Sequence, residues 1–345
     1  MTENVLLNIR NLKTHFFTEE GVVQALDGVS LEVYEREIIG LVGETGSGKS
    51  VTALSVMRLL PQPGFIVEGE IIFKGKPLHL ISEEEMRQIR GKEITMIFQD
   101  PMNALNPVFT VGNQIAETIM LHNDVTYREA FNQSIELLRR LNIPRPERIV
   151  NSYPHELSGG MKQRIQIAIG LACQPALLIA DEPTTALDAT IEVQVLELIK
   201  KLRDEFNTSI MLITHDLGII AEMCERVVVM YAGSVVEKAD VKTIFKNPLH
   251  PYTQALLDAI PYAERKKKTK LTTIPGNVPN LINPPSGCRF HPRCKHAMKV
   301  CQTCKPLLLE EQPGHWVSCF LYSKNRERGL SEGGLFEPLP GRVIY

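Results

Sequence analysis

The sequence predicts an α/β fold built on a mostly parallel core sheet, and three observations carry that reading. Five short apolar runs, at 38–42, 94–98, 177–180, 210–213 and 227–230, are bounded by turn or polar residues and lack the polar–apolar alternation of half-exposed strands, as strands covered on both faces do. Helical periodicity separates several of them; in 191–206, Val195, Leu198, Ile199 and Leu202 share one face, and strands alternating with helices are the mark of an α/β core. The first run leads into Gly43-Glu-Thr-Gly-Ser-Gly-Lys49-Ser50 and then into the helix-compatible stretch 51–60, the strand–loop–helix context in which a G-x-x-x-x-G-K-[ST] motif holds phosphate.

Taken in order, residues 4–35 alternate more strongly and predict an antiparallel sheet beside the core. Residues 102–157 lack strand-like runs and carry a helical stripe at Phe131, Ile135, Leu138 and Leu141, so they predict a helical insertion. Near residue 264 the texture changes to the charge run Glu264-Arg-Lys-Lys-Lys-Thr-Lys, followed by Pro275, Pro279, Pro284 and Pro285. The expected organisation is one domain over 1–263, a linker, and a small cysteine-rich domain within 264–345. The basic run is read as a solvated connector rather than a nucleic-acid site.

Composition narrows the function classes. With 43% hydrophobic and 23% charged residues and a formal net charge of −2, the chain is ordinary for a globular protein and has no global attraction to nucleic acid or anionic lipid. No apolar run reaches the roughly 18 residues of a spanning helix, and the start Met-Thr-Glu-Asn has no secretory pattern. The expectation is a cytoplasmic protein that meets a membrane only through a partner. Of seven cysteines, Cys173 and Cys224 stand alone, and Cys288, Cys294, Cys301, Cys304 and Cys319 crowd together. In a reducing compartment such crowding suggests metal before disulfide.

The phosphate chemistry follows from the residue types. Gly43, Gly46 and Gly48 let the backbone curl so that amide groups point inward, and the following helix, opening near Val51, offers its positive end to the same point. Lys49 can reach the β and γ phosphates and the Ser50 hydroxyl can ligate Mg2+. Farther on, Leu177-Leu-Ile-Ala-Asp181-Glu182 is a buried strand ending in two acids; Asp181 can hold Mg2+ through its water shell and Glu182 can polarise the attacking water.

Leu157-Ser158-Gly159-Gly160-Met161-Lys162-Gln163-Arg164 lies between the phosphate loop and the acids. An LSGG-x-x-QR segment about twenty residues before Asp-Glu resembles the signature of the ATP-binding cassette family. The order of 43–50, Gln99, 157–164, 177–182, Ala186-Leu187-Asp188 and His215 matches that family too. The resemblance implies a P-loop cassette fold with a RecA-like sheet, an antiparallel β subdomain and the helical insertion. It implies that ATP and Mg2+ are bound by residues 43–51 (Gly43, Glu44, Thr45, Gly46, Ser47, Gly48, Lys49, Ser50 and Val51) with Gln99, Asp181 and His215. Lys49, Gln99, Glu182 and His215 would be the catalytic set, and Ser50, Gln99 and Asp181 the Mg2+ set. It implies an aromatic platform for adenine, for which Phe16 and Phe17 are the candidates and Phe17 the choice. It implies a head-to-tail dimer in which Ser158, Gly159, Gly160 and Gln163 act on the partner's ATP, with an Asp of the 186–188 loop crossing between subunits.

Beyond the cassette, Asn247-Pro-Leu-His-Pro-Tyr-Thr, Ile274-Pro-Gly-Asn-Val-Pro-Asn and Pro285-Ser-Gly-Cys-Arg-Phe-His-Pro-Arg-Cys resemble the ATPase subunits of dipeptide and oligopeptide importers. Nickel importers share much of the pattern, so nickel is the alternative cargo; a soluble cassette ATPase acting in DNA repair or on ribosomes is the alternative of a different class. The importer resemblance implies a related second ATPase subunit, two membrane permease subunits, an extracytoplasmic peptide-binding protein and no nucleic acid, with this chain peripheral on the cytoplasmic face of the membrane. It also implies a [4Fe-4S] cluster on Cys288, Cys294, Cys301 and Cys319, four thiolates being its usual ligand count. Tetrahedral zinc satisfies the same count, and Cys304, two residues past Thr303's neighbour Gln302, departs from the family pattern by forming Cys301-x2-Cys304. The cluster is read as a structural clip, with a redox or iron sensor as the alternative.

Overall fold

The computed structural model describes residues 4–99, 104–185, 187–260, 274–322 and 324. In chain order the elements are β1 (Val5–Thr18), β2 (Gly21–Tyr34), β3 (Ile38–Val42), α1 (Lys49–Met57), β4 (Gly64–Phe73), β5 (Lys76–Pro77), α2 (Glu83–Ile89) and β6 (Ile94–Ile97). The helices α3 (Val111–His122), α4 (Tyr127–Arg140), α5 (Pro146–Ile149) and α6 (Gly159–Leu171) precede β7 (Leu177–Asp181), α7 (Ala189–Phe206), β8 (Ser209–Thr214), α8 (Leu217–Met223), β9 (Arg226–Tyr231) and β10 (Ser234–Asp240). The chain continues through α9 (Val241–Lys246), α10 (Pro251–Asp258), α11 (Lys299–Thr303), β11 (Leu309–Gln312) and β12 (His315–Val317).

Contacts between Cα atoms divide the chain into two compact units, one of residues 1–6, 33–38 and 77–213, the other of 7–32, 39–76 and 214–345. This division does not coincide with a boundary near residue 263. The linker run 264–270 and most of the tail after 322 lie outside the described residues.

In the first unit, β6, β7 and β8 are parallel, with Ile94 opposite Leu177 and Asp181 opposite Ile213. All three strands are buried along their length, as their unbroken apolar runs predict. Gly170 of α6 lets that helix lie close to the sheet, since a Cβ there would stand 3.2 Å from the Thr95 methyl. No strand lies between β6 and β7 among the described residues, and α3 and α4 pack on each other there. The buried stripe of α4 runs through Ala130, Ser134, Leu137 and Leu138. It is rotated from the expected one: Leu138 and Leu141 are buried, but Phe131 and Ile135 are only half-buried. The edge of Phe131 lies over Gly112, where a Cβ would stand 2.6 Å away.

In the second unit, β1, β2, β4 and β5 form the expected antiparallel sheet in the order β2-β1-β4-β5. The pairing of β1 with β4 is irregular between Arg10 and Thr14, and Gly69 sits there at φ +100, where a Cβ would strike the Asn11 carbonyl at 2.5 Å. The strand β3 pairs in parallel with β9, and β9 pairs antiparallel with β10. The outer edge of β10 is taken by β12, which in turn pairs with β11. Covering that edge removes a row of unpaired backbone groups, and it makes the C-terminal segment part of this unit. Tyr231, Tyr252 and Phe290 meet at the centre of its core, with ring centroids 4.7–5.4 Å apart.

Candidate nucleotide site and cysteine group

The phosphate loop lies in the second unit, between β3 and α1. Gly46 and Gly48 adopt φ of +80 and +103, and Gly43 has no room for a Cβ, which would stand 2.2 Å from the Met230 carbonyl oxygen. Gly48 is the N-cap of α1, with no side-chain cap and no acidic residue in the first turn. The first amides of that helix and its dipole are therefore offered to an anion. Lys49, 6% exposed, donates to the Gly43 and Glu44 carbonyl oxygens at 2.7 and 3.1 Å, so its ammonium is already held over the mouth of the loop. The buried Ser47 hydroxyl has no hydrogen-bond partner among the described residues, and its backbone carbonyl accepts from Gly233 at 2.8 Å. His215 is exposed just past β8, and the following residue, Asp216, caps α8 by accepting from the Gly218 amide at 2.6 Å.

The acids lie in the first unit. Asp181 ends β7 and is 4% exposed. Glu182 follows in the left-handed region at φ 45, its amide donating to the Ile213 carbonyl at 2.9 Å. A non-glycine residue at positive φ is costly and marks a position that its surroundings over-determine. The Glu182 carboxylate accepts from the Gln99 side-chain amide at 2.8 Å and from the Thr185 hydroxyl at 3.0 Å. The structure thus brings Gln99 and Glu182, 83 residues apart, into one hydrogen-bonded pair. Gln166 of α6 supports the approach to Gln99 by donating to the Phe98 carbonyl at 3.1 Å.

The signature segment opens α6. Ser158 is its N-cap and accepts from the Met161 amide at 3.4 Å. Gly159 is exposed with open space where a Cβ would be, whereas a Cβ on Gly160 would stand 2.7 Å from Ile191. Ser158, Gly159, Gly160 and Asp188 line a cleft of about 470 Å³. Asp188 is the N-cap of α7, accepting from the Ile191 amide at 3.0 Å, so two helix N-termini open at the same cleft. Gln163, grouped with the signature residues by the family resemblance, differs from them in burial. It is 1% exposed, because its place on α6 turns it into the interior of the unit. Ala186 lies outside the described residues.

Of the two adenine-platform candidates, Phe16 is half-buried, with its ring edge over Gly64, where a Cβ would stand 2.6 Å away. Phe17 is 49% exposed and lies 6.0 Å from the ring of Phe65, itself 48% exposed. Phe65 is a residue that sequence reading missed; its signal was an aromatic in a strand opposite the Phe16–Phe17 pair.

The cysteine positions lie in the second unit. Cys288 is pushed up to about 11 by burial and then by the charges of Cys301 and Cys294. Cys319 is pushed up to about 12 by burial and then by Cys288, Cys294 and Cys301, and burial also raises Cys294. Burial is the leading cause at all three. Two of the sulfurs accept from a backbone amide, Cys294 from His296 and Cys301 from Met298, each at 3.4 Å. Cys304 instead lies beside the Thr303 hydroxyl at 3.6 Å. Four thiols are the donor type that a thiolate-ligated centre uses. Among the described residues, however, no three His, Cys, Asp or Glu side chains are drawn together closely enough to hold a metal ion.

Two further residues were missed. Tyr252 accepts the Glu44 amide at 2.9 Å, and Arg293 grips the Glu44 carboxylate through two bonds of 2.7 and 3.0 Å. Nothing local marks either one as belonging to the phosphate loop.

This geometry is that of a P-loop nucleotide-binding cassette, and comparison with known proteins gives the family. Residues 26–185 match the ABC transporter family, and residues 236–301 match the oligopeptide/dipeptide transporter C-terminal region. The probable peptide ABC transporter ATP-binding protein y4tR of Sinorhizobium fredii is 54% identical over 92% of this chain and 95% of its own length. The oligopeptide transport ATP-binding protein AppD of Bacillus subtilis is 50% identical over 93% and 98%, and OppD of Escherichia coli is 45% identical over 92% and 93%. Among solved structures, the dimeric cassette MJ0796 bound to ADP and Pi superposes with a TM-score of 0.61 at 27% identity, over 68% of this chain and 98% of that one. The chain belongs to the ABC transporter ATP-binding proteins and is an ATPase of that family.

Proposed function

We propose that this chain is the ATP-hydrolysing subunit of an importer of di- and oligopeptides. The observation that carries this reading is the combination of the cassette with a 236–301 segment matching the oligopeptide/dipeptide transporter C-terminal region. Relatives named for peptide transport that run nearly the whole length of the chain support it. ATP is held between the phosphate loop of one cassette and the Ser158-Gly159-Gly160 signature of another, a related chain. Two permease subunits form the path through the membrane and an extracytoplasmic protein delivers the peptide. Among the described residues no helix is long and apolar enough to cross a membrane, in keeping with a peripheral subunit on the cytoplasmic face.

In this reading, the backbone amides of 46–51 cradle the phosphates, Lys49 shifts from its carbonyl partners to the β and γ oxygens, and Phe17, flanked by Phe65, stacks on adenine. Ser50, Asp181 and Gln99 would hold Mg2+, which offsets charge on the phosphates when bound. Glu182, oriented by Gln99 and Thr185, takes the proton of the attacking water, and His215 steadies the γ-phosphate. Since hydrolysis is mostly positioning and electrostatics, the Gln99–Glu182 bond is a ready means of tying water activation to movement of the helical insertion. Reconstitution with the permease and receptor subunits in vesicles tests the function. ATP-dependent uptake of labelled peptide is expected; uptake of nickel without peptide overturns it.

Cys288, Cys294, Cys301 and Cys319 would hold a [4Fe-4S] cluster that clips the C-terminal segment in place. Support comes from the four-thiol donor type and from the His296 and Met298 amides at Cys294 and Cys301, which would stabilise thiolate charge. Anaerobically purified protein is expected to absorb near the iron–sulfur band and to contain iron. Zinc without iron would reassign the site.

A further inference from the structure

Two motifs of the C-terminal region meet at one residue of the phosphate loop. The 247–253 motif supplies Tyr252, whose hydroxyl accepts the Glu44 amide at 2.9 Å. The cysteine-bearing motif supplies Arg293, whose side chain is 5% exposed. Its Nη1 and Nη2 donate to the two Glu44 carboxylate oxygens at 2.7 and 3.0 Å. The remaining donors are used as well, Nε on the Pro275 carbonyl at 2.8 Å, Nη1 on the Tyr231 hydroxyl at 3.3 Å and Nη2 on the Ile274 carbonyl at 3.4 Å. A guanidinium with its whole fork engaged is fixed in direction. The Glu44 carbonyl in turn accepts from the Ser47 amide at 3.1 Å and from Lys49 at 3.1 Å. Glu44 is thus held at its amide, its carbonyl and its carboxylate. A second arginine from the same motif, Arg289, donates to the Ala232 carbonyl at 2.5 Å, and the next residue, Gly233, holds the Ser47 carbonyl.

We propose that Arg293 is a positioning residue of the nucleotide site. With Tyr252 it holds Glu44, and through Glu44 the phosphate loop, in the shape that receives nucleotide, so the cysteine-bearing segment acts on nucleotide affinity without touching the nucleotide. A glycine-rich loop is conformationally free when unbound, and binding must order whatever the fold has not already ordered. The anchored carboxylate and amide remove that freedom beforehand. Glu44, expected from the family resemblance as one of the nucleotide-binding residues of the loop, acquires a further role as the point of attachment.

This rests on residues 43–50 being the nucleotide site, and the test separates the two ideas. Mg·ATP affinity is measured by calorimetry on the full chain for Arg293→Ala, Glu44→Ala, the double variant and Lys49→Ala. Coupling between sites is commonly worth about 5- to 150-fold, and each anchor variant is expected to weaken binding about tenfold. The double variant should be no weaker than the poorer single, since both remove one contact. Arg293→Lys, which keeps the charge and loses the fork, guards against misfolding and should recover part of the affinity with an unchanged melting temperature. Parental affinity in Arg293→Ala beside a loss in Lys49→Ala overturns the anchor, as do additive losses in the double variant. Parental affinity in Lys49→Ala contradicts the site itself.

Discussion

Glu182 is where the proposed chemistry concentrates at the residue scale. Its backbone is held at φ 45 and one carboxylate oxygen accepts from both Gln99 and Thr185, so its direction is set before substrate arrives. Glu182→Gln keeps the size and the Thr185 bond but cannot take a proton. ATP binding should persist, and hydrolysis by the assembled complex should fall about a hundredfold or more, the usual worth of a general base. Near-parental turnover would remove Glu182 from its role. The acidic pair was legible in the sequence as the end of a buried strand downstream of a phosphate loop, and its catalytic use is what the family resemblance implies. The Thr185 contact was not, because a hydroxyl three residues on can turn toward the acid or toward solvent. The choice between Phe16 and Phe17 also needed the fold: the irregular pairing of β1 and β4 breaks strict alternation, and only the position of Gly64 shows which ring is covered.

At the scale of elements, the N-terminus of α6 does two things with one side chain. Ser158 caps the helix through the Met161 amide and also lines the cleft shared with the N-terminus of α7. Ser158→Ala should cost roughly 1 kcal/mol of stability, the worth of a cap, measured by denaturant unfolding. In the two-cassette complex it should slow hydrolysis at the partner's phosphate loop first; slowing confined to this chain's own nucleotide would refute the trans role. The glycines of this segment were readable as openings for phosphate. That Gly160 is also required by Ile191 and that Gln163 points inward were not, since helix phase relative to neighbouring helices is a tertiary quantity. The same limit explains the rotated stripe of α4.

At the scale of the whole molecule, the second unit is tied through buried polar groups. Glu237, fully buried, accepts from the Leu249 and His250 amides and from His315 at 2.6–2.9 Å. His250 caps α10 through Nδ1, and burial, opposed by Glu237, lowers it from 6.5 to about 4. The unfolded chain therefore binds the extra proton across that interval, and the folded protein does not. This contribution to stability is complete above pH 6.5 and is lost as pH falls toward 4, with a span of about 3 kcal/mol. His250→Asn keeps a cap acceptor and removes the titration, so its unfolding free energy should decline less between pH 7 and pH 5; an equal decline would show that another group governs the acid limb. By itself the sequence determined the parallel core and the cassette family, because buried apolar strands and the ordered motifs are short local patterns. Only the tertiary structure decided that β12 covers the edge of β10 and that Arg293 closes on Glu44 across 249 residues. Such meetings depend on packing between distant segments, and no local period or spacing encodes which side chains the packing will join.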